Sequence, residues 1–260
     1  DGNISYKYEV LETEKLLGIY EDKLESVYKC NIKDSKSPME NFSFKAESRV
    51  APAIKVAKPK VLIPVFPGTN CEFDSAKAMR DAGAEPEIFV INNQSSDGIA
   101  SSVENFAQKI KSAQMIFVPG GFSGGDEPDG SAKFITAFFR NEEIKEAVTE
   151  LLEERDGLMA GICNGFQALI KLGLVPYGKI VETDEDCATL TYNKISRHQS
   201  KLVRTRIASN NSPWLANTKV GDVYTVPISH GEGRFIAPLA LREELAKNGQ
   251  IITQYADLEG

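Results

Sequence analysis

The sequence predicts an α/β fold in which an open, mostly parallel sheet carries helices on both faces. Short apolar runs alternate with amphipathic runs from Lys58 onward, which is typical of strand–helix–strand units. The apolar runs lack polar alternation, as strands buried on both faces of a sheet do. Three of these apolar runs end in glycine-bearing turns, at 67–69, 119–121 and 161–165. Before Lys58 the chain is mostly polar and predicts an N-terminal helical or extended arm.

Each predicted element follows from a local pattern. Continuous apolar runs predict strands at 60–66, 86–91, 114–118 and 157–162. Helical spacing of apolar residues predicts helices at 73–83, 98–113, 132–140, 142–155 and 164–173. Closer, shorter runs predict an antiparallel extension, or the far half of a mixed sheet, at 202–208, 222–228, 234–238 and 250–256. One more helix is predicted at 239–248.

The N-terminal region is predicted to be separate from the main domain. Helical spacing predicts a helix over 12–30, and the polar, proline-dotted stretch after it predicts a linker or an arm that crosses another surface. A disordered tail is the alternative. The predicted boundaries are 1–57 for the arm and 58–260 for the domain.

Composition excludes several kinds of partner and site. The net charge of -7 argues against nucleic acid or an anionic membrane, and no apolar run approaches the roughly 20 residues that span a bilayer. The four cysteines lie far apart without a C-x-x-C pair, which favours reduced thiols in the cytoplasm over a zinc site or disulfides. The acidic loop 124–130 lacks EF-hand spacing, so no metal site is expected.

A candidate nucleophile lies in the sequence Gly-Ile-Cys-Asn-Gly, at 161–165. One cysteine between two glycines, after a strand and before a helix, fits the strand–nucleophile–helix elbow with sulfur in place of oxygen. A side chain at Gly161 or Gly165 would crowd the sharp turn. Cys163 would begin a helix, whose dipole favours a thiolate. A buried packing cysteine is the alternative.

Backbone donors for an oxyanion are predicted from two turns. The N–H of Asn164 can face the oxygen of an attacked carbonyl. The turn Pro119-Gly120-Gly121 ends a neighbouring predicted strand, and Gly121 is the predicted second donor. In open α/β sheets, ligands bind beyond the carboxyl ends of the strands, where these turns lie.

The candidate base is one of only two histidines. His230 follows a predicted strand, and Glu232 lies two residues on, where it could accept the imidazole N–H and orient the ring toward sulfur. A surface turn is the alternative. His198 has basic neighbours and no nearby acid, which favours a surface or packing role.

The other cysteines fit a nucleophile less well. Cys71 lies near a predicted helix start, but acidic neighbours disfavour its thiolate and no glycine follows at the required place. Cys187 follows a run of acidic residues, whose negative charge disfavours a thiolate. Cys30 ends the first predicted helix, where a packing role is enough to explain a cysteine.

These motifs together resemble a known family. The sequences PGTNCEFD, VPGGFSGGD, GICNGFQALIKLGL and ISHGEGRF, which span Lys58 to the C-terminus, are similar to class I (triad) glutamine amidotransferase domains, specifically those of phosphoribosylformylglycinamidine synthase in its large single-chain form. The resemblance implies a flavodoxin-like sheet. It also implies a ligase of purine biosynthesis that takes its nitrogen from glutamine.

The same resemblance implies roles for the site. Cys163 would attack the amide of glutamine, Gly121 and Asn164 would stabilise the oxyanion, and His230 with Glu232 would complete the triad. Gln167 would help bind glutamine. Ammonia would pass to the synthetase part of the same polypeptide, where ATP and Mg²⁺ act; no cofactor is expected in this chain.

Two further expectations concern the extent of the chain. Residues 1–57 would be the tail of the synthetase part, and the domain is expected to be truncated because the family usually continues beyond the QYAD strand. Two other functions stay open: a docking module that is inactive without its synthetase partner, and a cysteine hydrolase of the same fold with other substrates.

Overall fold

The computed structural model describes residues 3–6, 9–22, 40–48, 55–123, 131–184 and 186–257. The described strands are β1 (Asn3–Tyr6), β2 (Glu9–Glu12), β3 (Lys60–Val65), β4 (Glu85–Val90), β5 (Met115–Val118), β6 (Leu158–Gly161), β7 (Thr189–Thr191), β8 (Gln199–Ile207), β9 (Val223–His230), β10 (Arg234–Ile236) and β11 (Thr253–Ala256). The described α-helices are α1 (Thr13–Asp22), α2 (Glu72–Asp81), α3 (Ser96–Ser112), α4 (Lys133–Phe139), α5 (Glu142–Thr149), α6 (Asn164–Leu172), α7 (Leu174–Tyr177) and α8 (Leu239–Lys247).

The chain divides into two compact units. The parallel-sheet unit comprises 46–189 and 236–250, and the antiparallel-sheet unit comprises 1–45, 190–235 and 251–260. Each is described by itself.

The parallel-sheet unit contains a four-stranded sheet in the order β4-β3-β5-β6. All three strand pairs are parallel, with Leu62 opposite Glu87 on one side and Ile116 on the other. Four consecutive residues of β3 are buried, as expected of a central parallel strand. The carboxyl ends of β3, β5 and β6 therefore meet at one edge of the sheet, where the three predicted glycine turns follow.

Helices cover both faces of this sheet. On one face, Leu62 packs with buried residues of α3, α4, α5 and α6, and on the other, Val61 and Ile63 pack against Ala76 of α2. Phe66, which directly follows β3, lies in edge-to-face contact with Phe138, with ring centroids 5.4 Å apart. Such aromatic pairs add roughly 0.5–1.5 kcal/mol beyond their burial. The end of β3 is thus anchored just before its glycine turn.

The antiparallel-sheet unit contains a three-stranded sheet in the order β11-β8-β9, with both pairs antiparallel. Residues 40–44 extend along this sheet: the N–H of Phe44 donates to the carbonyl of Ala208 at 2.8 Å, and the guanidinium of Arg206 donates to the carbonyl of Phe42 at 2.6 Å. The N-terminal β1 and β2 form an antiparallel hairpin. Strand β9 ends at His230, which places this histidine at the rim of the sheet.

The predicted parallel sheet is confirmed. The antiparallel pairing expected of the later strands is found in a separate sheet and not in the far half of a mixed one, and β10 pairs with β7 in a two-stranded sheet. The predicted helix over 142–155 is α5, whose last turn continues as a π-helical segment, Glu150–Glu154. The predicted helix over 12–30 is described only at Thr13–Asp22, and residues 23–30 lie outside the described chain. Among the described residues, no helix combines the length and apolar character needed to cross a bilayer.

Candidate active site

Cys163 lies at the tip of a sharp turn between β6 and α6. Its backbone has φ 56° and ψ -115°, a conformation that residues with a Cβ rarely adopt and that costs about 1–3 kcal/mol. Hydrogen bonds flank the turn: the N–H of Gly165 donates to the carbonyl of Ile162, and the N–H of Gln167 to the carbonyl of Cys163, each at 3.0 Å. The Cys163 side chain is exposed. The backbone at Cys163 is strained, and its thiol is exposed at the start of α6. The alternative of a buried packing cysteine is therefore wrong.

The flanking glycines are required by close backbone approach. A Cβ on Gly165 would lie 2.0 Å from the carbonyl oxygen of Val118, and a Cβ on Gly161 would lie 2.6 Å from the carbonyl carbon of Gly165. Both neighbours are backbone atoms, which cannot rotate away. The predicted steric role of the two glycines in the elbow is confirmed.

The turns that follow β3 and β5 pack directly on each other. Thr69 and Gly121 form an isolated antiparallel bridge, and the N–H of Phe122 donates to the carbonyl of Gly68 at 2.8 Å. Gly121 has φ 146°, and a Cβ there would lie 2.4 Å from the carbonyl oxygen of Gly68. The position of the predicted oxyanion donor is therefore fixed by a second turn.

Gly120 brings this pair of turns against the nucleophile. A Cβ on Gly120 would lie 3.1 Å from the Cβ of Cys163 and 3.6 Å from the Sγ of Cys71. The glycine leaves room beside the thiol for another molecule to approach main-chain groups. The predicted proximity of the turn after β5 to Cys163 is thus observed.

The buried side chain of Asn164 connects the elbow to the turn after β5. Its Oδ1 accepts hydrogen bonds from the N–H and the hydroxyl of Ser123, at 3.2 and 2.6 Å. Its Nδ2 donates to Oε1 of Gln167 at 3.1 Å. Asn164 and Gln167 are only 1% and 8% exposed. Their side chains therefore hold the first turn of α6 in place, a contribution that the sequence patterns did not reveal.

Cys71 lies beside Gly120 but in a different electrostatic setting. Burial raises the pKa of its thiol, and the charges of Cys163, Asp74 and Glu72 raise it further. Its Sγ donates to Oδ1 of Asn70 at 3.3 Å. The raised pKa keeps this thiol protonated and a weaker nucleophile, as its acidic neighbours predicted.

His230 lies in the antiparallel-sheet unit, at the end of β9. Its Nδ1 lies 2.9 Å from Oδ1 of Asn193. Burial lowers the pKa of the imidazole below its usual value, and the charge of His198 lowers it further. The neutral ring is thus favoured near pH 7, as a general base requires.

Neighbouring groups complete the surroundings of His230. A Cβ on Gly233 would lie 2.5 Å from Nδ1, so only glycine lets the ring occupy this position. His198 contacts Ser229, with Nε2 and Oγ 2.9 Å apart. A cavity of about 230 Å³ opens beside the ring and is lined by Asn193, Lys194, Ile195, Gln199, His230, Gly233, Arg234 and Tyr255.

The predicted site residues fall into two groups. Gly120, Gly121, Cys163, Asn164 and Gln167 belong to the parallel-sheet unit, where the structure brings them together, whereas His230 and Glu232 belong to the antiparallel-sheet unit. That the three triad residues act on one substrate stays a prediction. Within the described chain, no three side chains of His, Cys, Asp or Glu cluster as metal ligands would. The acidic loop 124–130 lies outside that part.

Comparisons with known proteins identify the family. The family model of the CobB/CobQ-like glutamine amidotransferase domain matches residues 58–260, and the chain therefore belongs to that family. Among curated relatives, phosphoribosylformylglycinamidine synthase subunit PurQ of Methanococcus maripaludis strain S2 is 37% identical over 80% of this chain and 70% of its own length. The PurQ subunit of Treponema denticola is 35% identical over 76% of this chain and 72% of its own length.

A solved structure agrees with these relatives. A chain of the PurLQS structure from Thermotoga maritima superposes with a TM-score of 0.55 at 25% identity, covering 77% of this chain and 76% of that one. The flavodoxin-like arrangement expected from the sequence resemblance is accordingly confirmed.

Proposed function

We propose that this chain hydrolyses glutamine to glutamate and ammonia, and that the ammonia is used to form formylglycinamidine ribonucleotide in purine biosynthesis. The observation that carries the proposal is Cys163 itself: an exposed thiol with φ 56° at the start of α6, beside the turn that contains Gly120. Similarity to PurQ subunits supports the choice of glutamine as substrate.

The chemistry would proceed in two steps. His230 takes the proton of the Cys163 thiol as the sulfur attacks the side-chain carbonyl carbon of glutamine, and the N–H groups of Gly121 and Asn164 stabilise the oxyanion. The bond to nitrogen then breaks, His230 donates a proton, and ammonia leaves behind a glutamyl thioester. His230 next removes a proton from water, which attacks the thioester and releases glutamate and the free thiol. Glu232 supports the imidazole in the triad.

Substrate binding would use the same turns. Gly120 leaves the space beside the thiol open. Gln167 accepts a hydrogen bond from the side chain of Asn164 and so holds the first turn of α6 in place. We propose that both contribute to holding glutamine, Gly120 through the main chain and Gln167 through the position of α6.

The ammonia would be consumed by a synthetase partner in the cytoplasm. The related PurQ proteins are named as subunits, and the Thermotoga maritima structure is named PurLQS, which supports an assembly. We propose that the partner is the synthetase part of the same polypeptide, in the large single-chain form. ATP and Mg²⁺, bound there, would activate the amide oxygen of formylglycinamide ribonucleotide for displacement by ammonia.

Glutamate release from glutamine tests the proposal. The chain should release glutamate alone or when mixed with its synthetase portion, Cys163→Ala should abolish release, and Cys71→Ala should retain it. Release only in the mixture, and none by the isolated chain, favours the docking module that is inactive without its synthetase partner. Absence of release under both conditions contradicts the proposed function.

A further inference from the structure

We propose that Cys71 and Cys163 form a reversible oxidation site, in which hydrogen peroxide oxidises Cys163 and Cys71 then closes a disulfide with it. Cys71 has no part in the hydrolysis of glutamine described above. The disulfide would block the sulfur of Cys163 and stop that reaction until a reducing thiol breaks the bond. The bond itself can be observed whether or not the chain hydrolyses glutamine.

The two cysteines meet beside Gly120. A Cβ on this glycine would lie 3.1 Å from the Cβ of Cys163 and 3.6 Å from the Sγ of Cys71. Both atoms therefore lie within 4 Å of one point, which residue 120 leaves empty because it is glycine. The charge of Cys163 also acts on the thiol of Cys71, so the two side chains are electrostatic neighbours.

Main-chain contacts hold both cysteines at the same edge of the sheet. The N–H of Asn70 donates to the carbonyl of Gly120 at 3.3 Å, and the hydroxyl of Ser75 donates to the carbonyl of Cys71 at 2.6 Å. Cys163 lies at the turn between β6 and α6. Both cysteines belong to the parallel-sheet unit, so their proximity is a property of that unit alone.

The surroundings of the two thiols determine which one is oxidised first. Cys163 is exposed at a helix start, where the dipole favours a thiolate, the form that reacts with peroxide. Cys71 is half-buried. Burial and the charge of Cys163 raise its pKa, and the charges of Asp74 and Glu72 raise it further. Cys163 is therefore the thiol that peroxide oxidises, and Cys71 is the thiol that follows.

The first step oxidises Cys163 by two electrons. Its thiolate attacks one oxygen of hydrogen peroxide, the S–O bond forms, the O–O bond breaks, and hydroxide leaves. The product is a sulfenic acid on Cys163, and the peroxide is reduced.

The second step forms the disulfide. The sulfur of Cys71 attacks the sulfur of the sulfenic acid, the S–S bond forms, and the S–O bond breaks. The departing hydroxide takes the proton of Cys71 and becomes water. In total, two thiols and one hydrogen peroxide give one disulfide and two waters.

Oxidation of Cys163 also prepares Cys71 for this step. In the reduced chain, the negative charge of Cys163 is one of the causes that hold Cys71 protonated. A sulfenic acid carries no charge in its protonated form, so this cause disappears on oxidation. The pKa of Cys71 then falls, although burial still holds it above its usual value. Cys71 becomes a better nucleophile at the moment when its target is formed.

The position of the pair makes the oxidation reversible. Because Cys163 is exposed, a reducing thiol can reach the bond, and exposed disulfides are the labile ones. A sulfenic acid that finds no second thiol proceeds to the sulfinic acid, which is irreversible in most proteins. Cys71 therefore protects the sulfur of Cys163 from permanent loss.

Peptide mapping tests the site directly. The reduced chain is treated with hydrogen peroxide, remaining thiols are blocked with iodoacetamide, and peptides are mapped by mass spectrometry without reduction. We expect a peptide pair that links Cys71 to Cys163, in a yield independent of chain concentration and lost after dithiothreitol. A Cys163 that stays reduced, or that becomes sulfinic acid without the link, overturns the proposal. A link whose yield rises with chain concentration also overturns it, because the bond then joins two chains.

Cys71→Ser removes the second sulfur and keeps a donor of similar size toward Asn70, which the thiol contacts at 3.3 Å. We expect complete loss of the linked peptide and accumulation of sulfenic acid on Cys163, trapped by dimedone. Cys187→Ser is the matched control, because Cys187 is also a half-buried free cysteine. It should keep the link and trap as little dimedone as wild type. Equal trapping in Cys71→Ser and wild type would contradict the role of Cys71.

Glutamate release connects the site to the proposed function. Release should be lost in proportion to the linked peptide and should return after dithiothreitol in wild type. In Cys71→Ser, dithiothreitol should restore less of it after the same exposure to peroxide. A reduced wild-type chain that releases no glutamate, alone or with its synthetase portion, contradicts the proposed function. The linked peptide then decides the oxidation site by itself.

Discussion

The Oδ1 of Asn164 accepts a hydrogen bond from the hydroxyl of Ser123 at 2.6 Å, and this contact joins the first turn of the nucleophile helix to the turn after β5. Both side chains are buried, 1% and 2% exposed. The turn after β5, which contains Gly121, and the turn at Cys163 are therefore connected directly through this hydrogen bond. Changes at this contact should alter catalysis as well as stability.

Ser123→Ala tests that connection. Loss of the hydroxyl leaves the Asn164 oxygen with only one donor, so the free energy of unfolding should fall by about 0.5–1.5 kcal/mol. Turnover or thiol labelling should fall as well. Ser102→Ala is the matched control, because Ser102 is also buried and hydrogen-bonded but lies on α3. It should show a similar loss of stability with unchanged labelling; equal labelling in both variants would mean that the connection has no catalytic role.

Gly165→Ala tests the steric requirement of the elbow. The added Cβ would lie 2.0 Å from the carbonyl oxygen of Val118, so β5 and α6 must separate. Overpacking of this kind costs about 1–3 kcal/mol or more. Chemical denaturation should show that loss, with slower modification of Cys163.

Gly18→Ala serves as the comparison for that variant. A Cβ on Gly18 meets nothing within 4 Å, and Gly18 lies inside α1. Alanine there should be neutral or stabilising, by up to about 1 kcal/mol. If both variants had the same stability, close packing around Gly165 would not be the constraint on the elbow.

Alkylation rates test the electrostatics of Cys71. Burial and the charge of Cys163 hold the pKa of the Cys71 thiol above its usual value, so its reaction with iodoacetamide should reach half its maximal rate at a higher pH than that of a free cysteine. Cys163→Ser removes one cause and leaves burial. The midpoint for Cys71 should therefore move down without reaching the free value. An unchanged midpoint would show that the two sulfurs do not interact.

Titration of His230 by NMR tests the environment of the base. Burial and the charge of His198 lower its pKa below the usual 6.5, so its resonances should titrate below that value. His198→Gln removes the second cause, and the pKa of His230 should then rise partway. A pKa at or above the usual value in the wild type would contradict the described environment.

The same shift has a consequence for stability. Because the pKa of His230 is lower in the folded chain, the unfolded chain takes up this proton first as the pH falls. The contribution of His230 is fully present above the usual pKa and is lost as the pH falls through the lowered one. Urea unfolding across this range should show wild type losing stability relative to His230→Gln. The opposite slope would contradict the sign of the shift.

The parallel sheet was predictable because its strands are continuous apolar runs, and β3 buries four residues in a row as that pattern indicates. The elbow was predictable because glycine is the only residue without a Cβ, so Gly161 and Gly165 leave a local signature around Cys163. Both features can be predicted from sequence because the residues that encode each of them lie within a few positions of one another.

Other features depend on contacts that no local pattern encodes. Strand β7 has three residues, too few for a period, and α5 continues into a π-helical turn through a shift of its backbone hydrogen bonds. The contact of Asn193 with His230 spans 37 positions, and the sequence around Asn193 contains only an ordinary turn. An asparagine between a tyrosine and a lysine gives no indication of a contact with a histidine ring.

Covalent labelling shows directly whether Cys163 is the nucleophile that attacks glutamine. The chain, with its synthetase portion present, is incubated with a glutamine-like diazo ketone, and modified peptides are mapped by mass spectrometry. We expect one stoichiometric adduct on Cys163, competition by glutamine, and no adduct in Cys163→Ala, while Cys71→Ala labels like wild type. Labelling of Cys71 in the wild type, or none that glutamine suppresses, would contradict it.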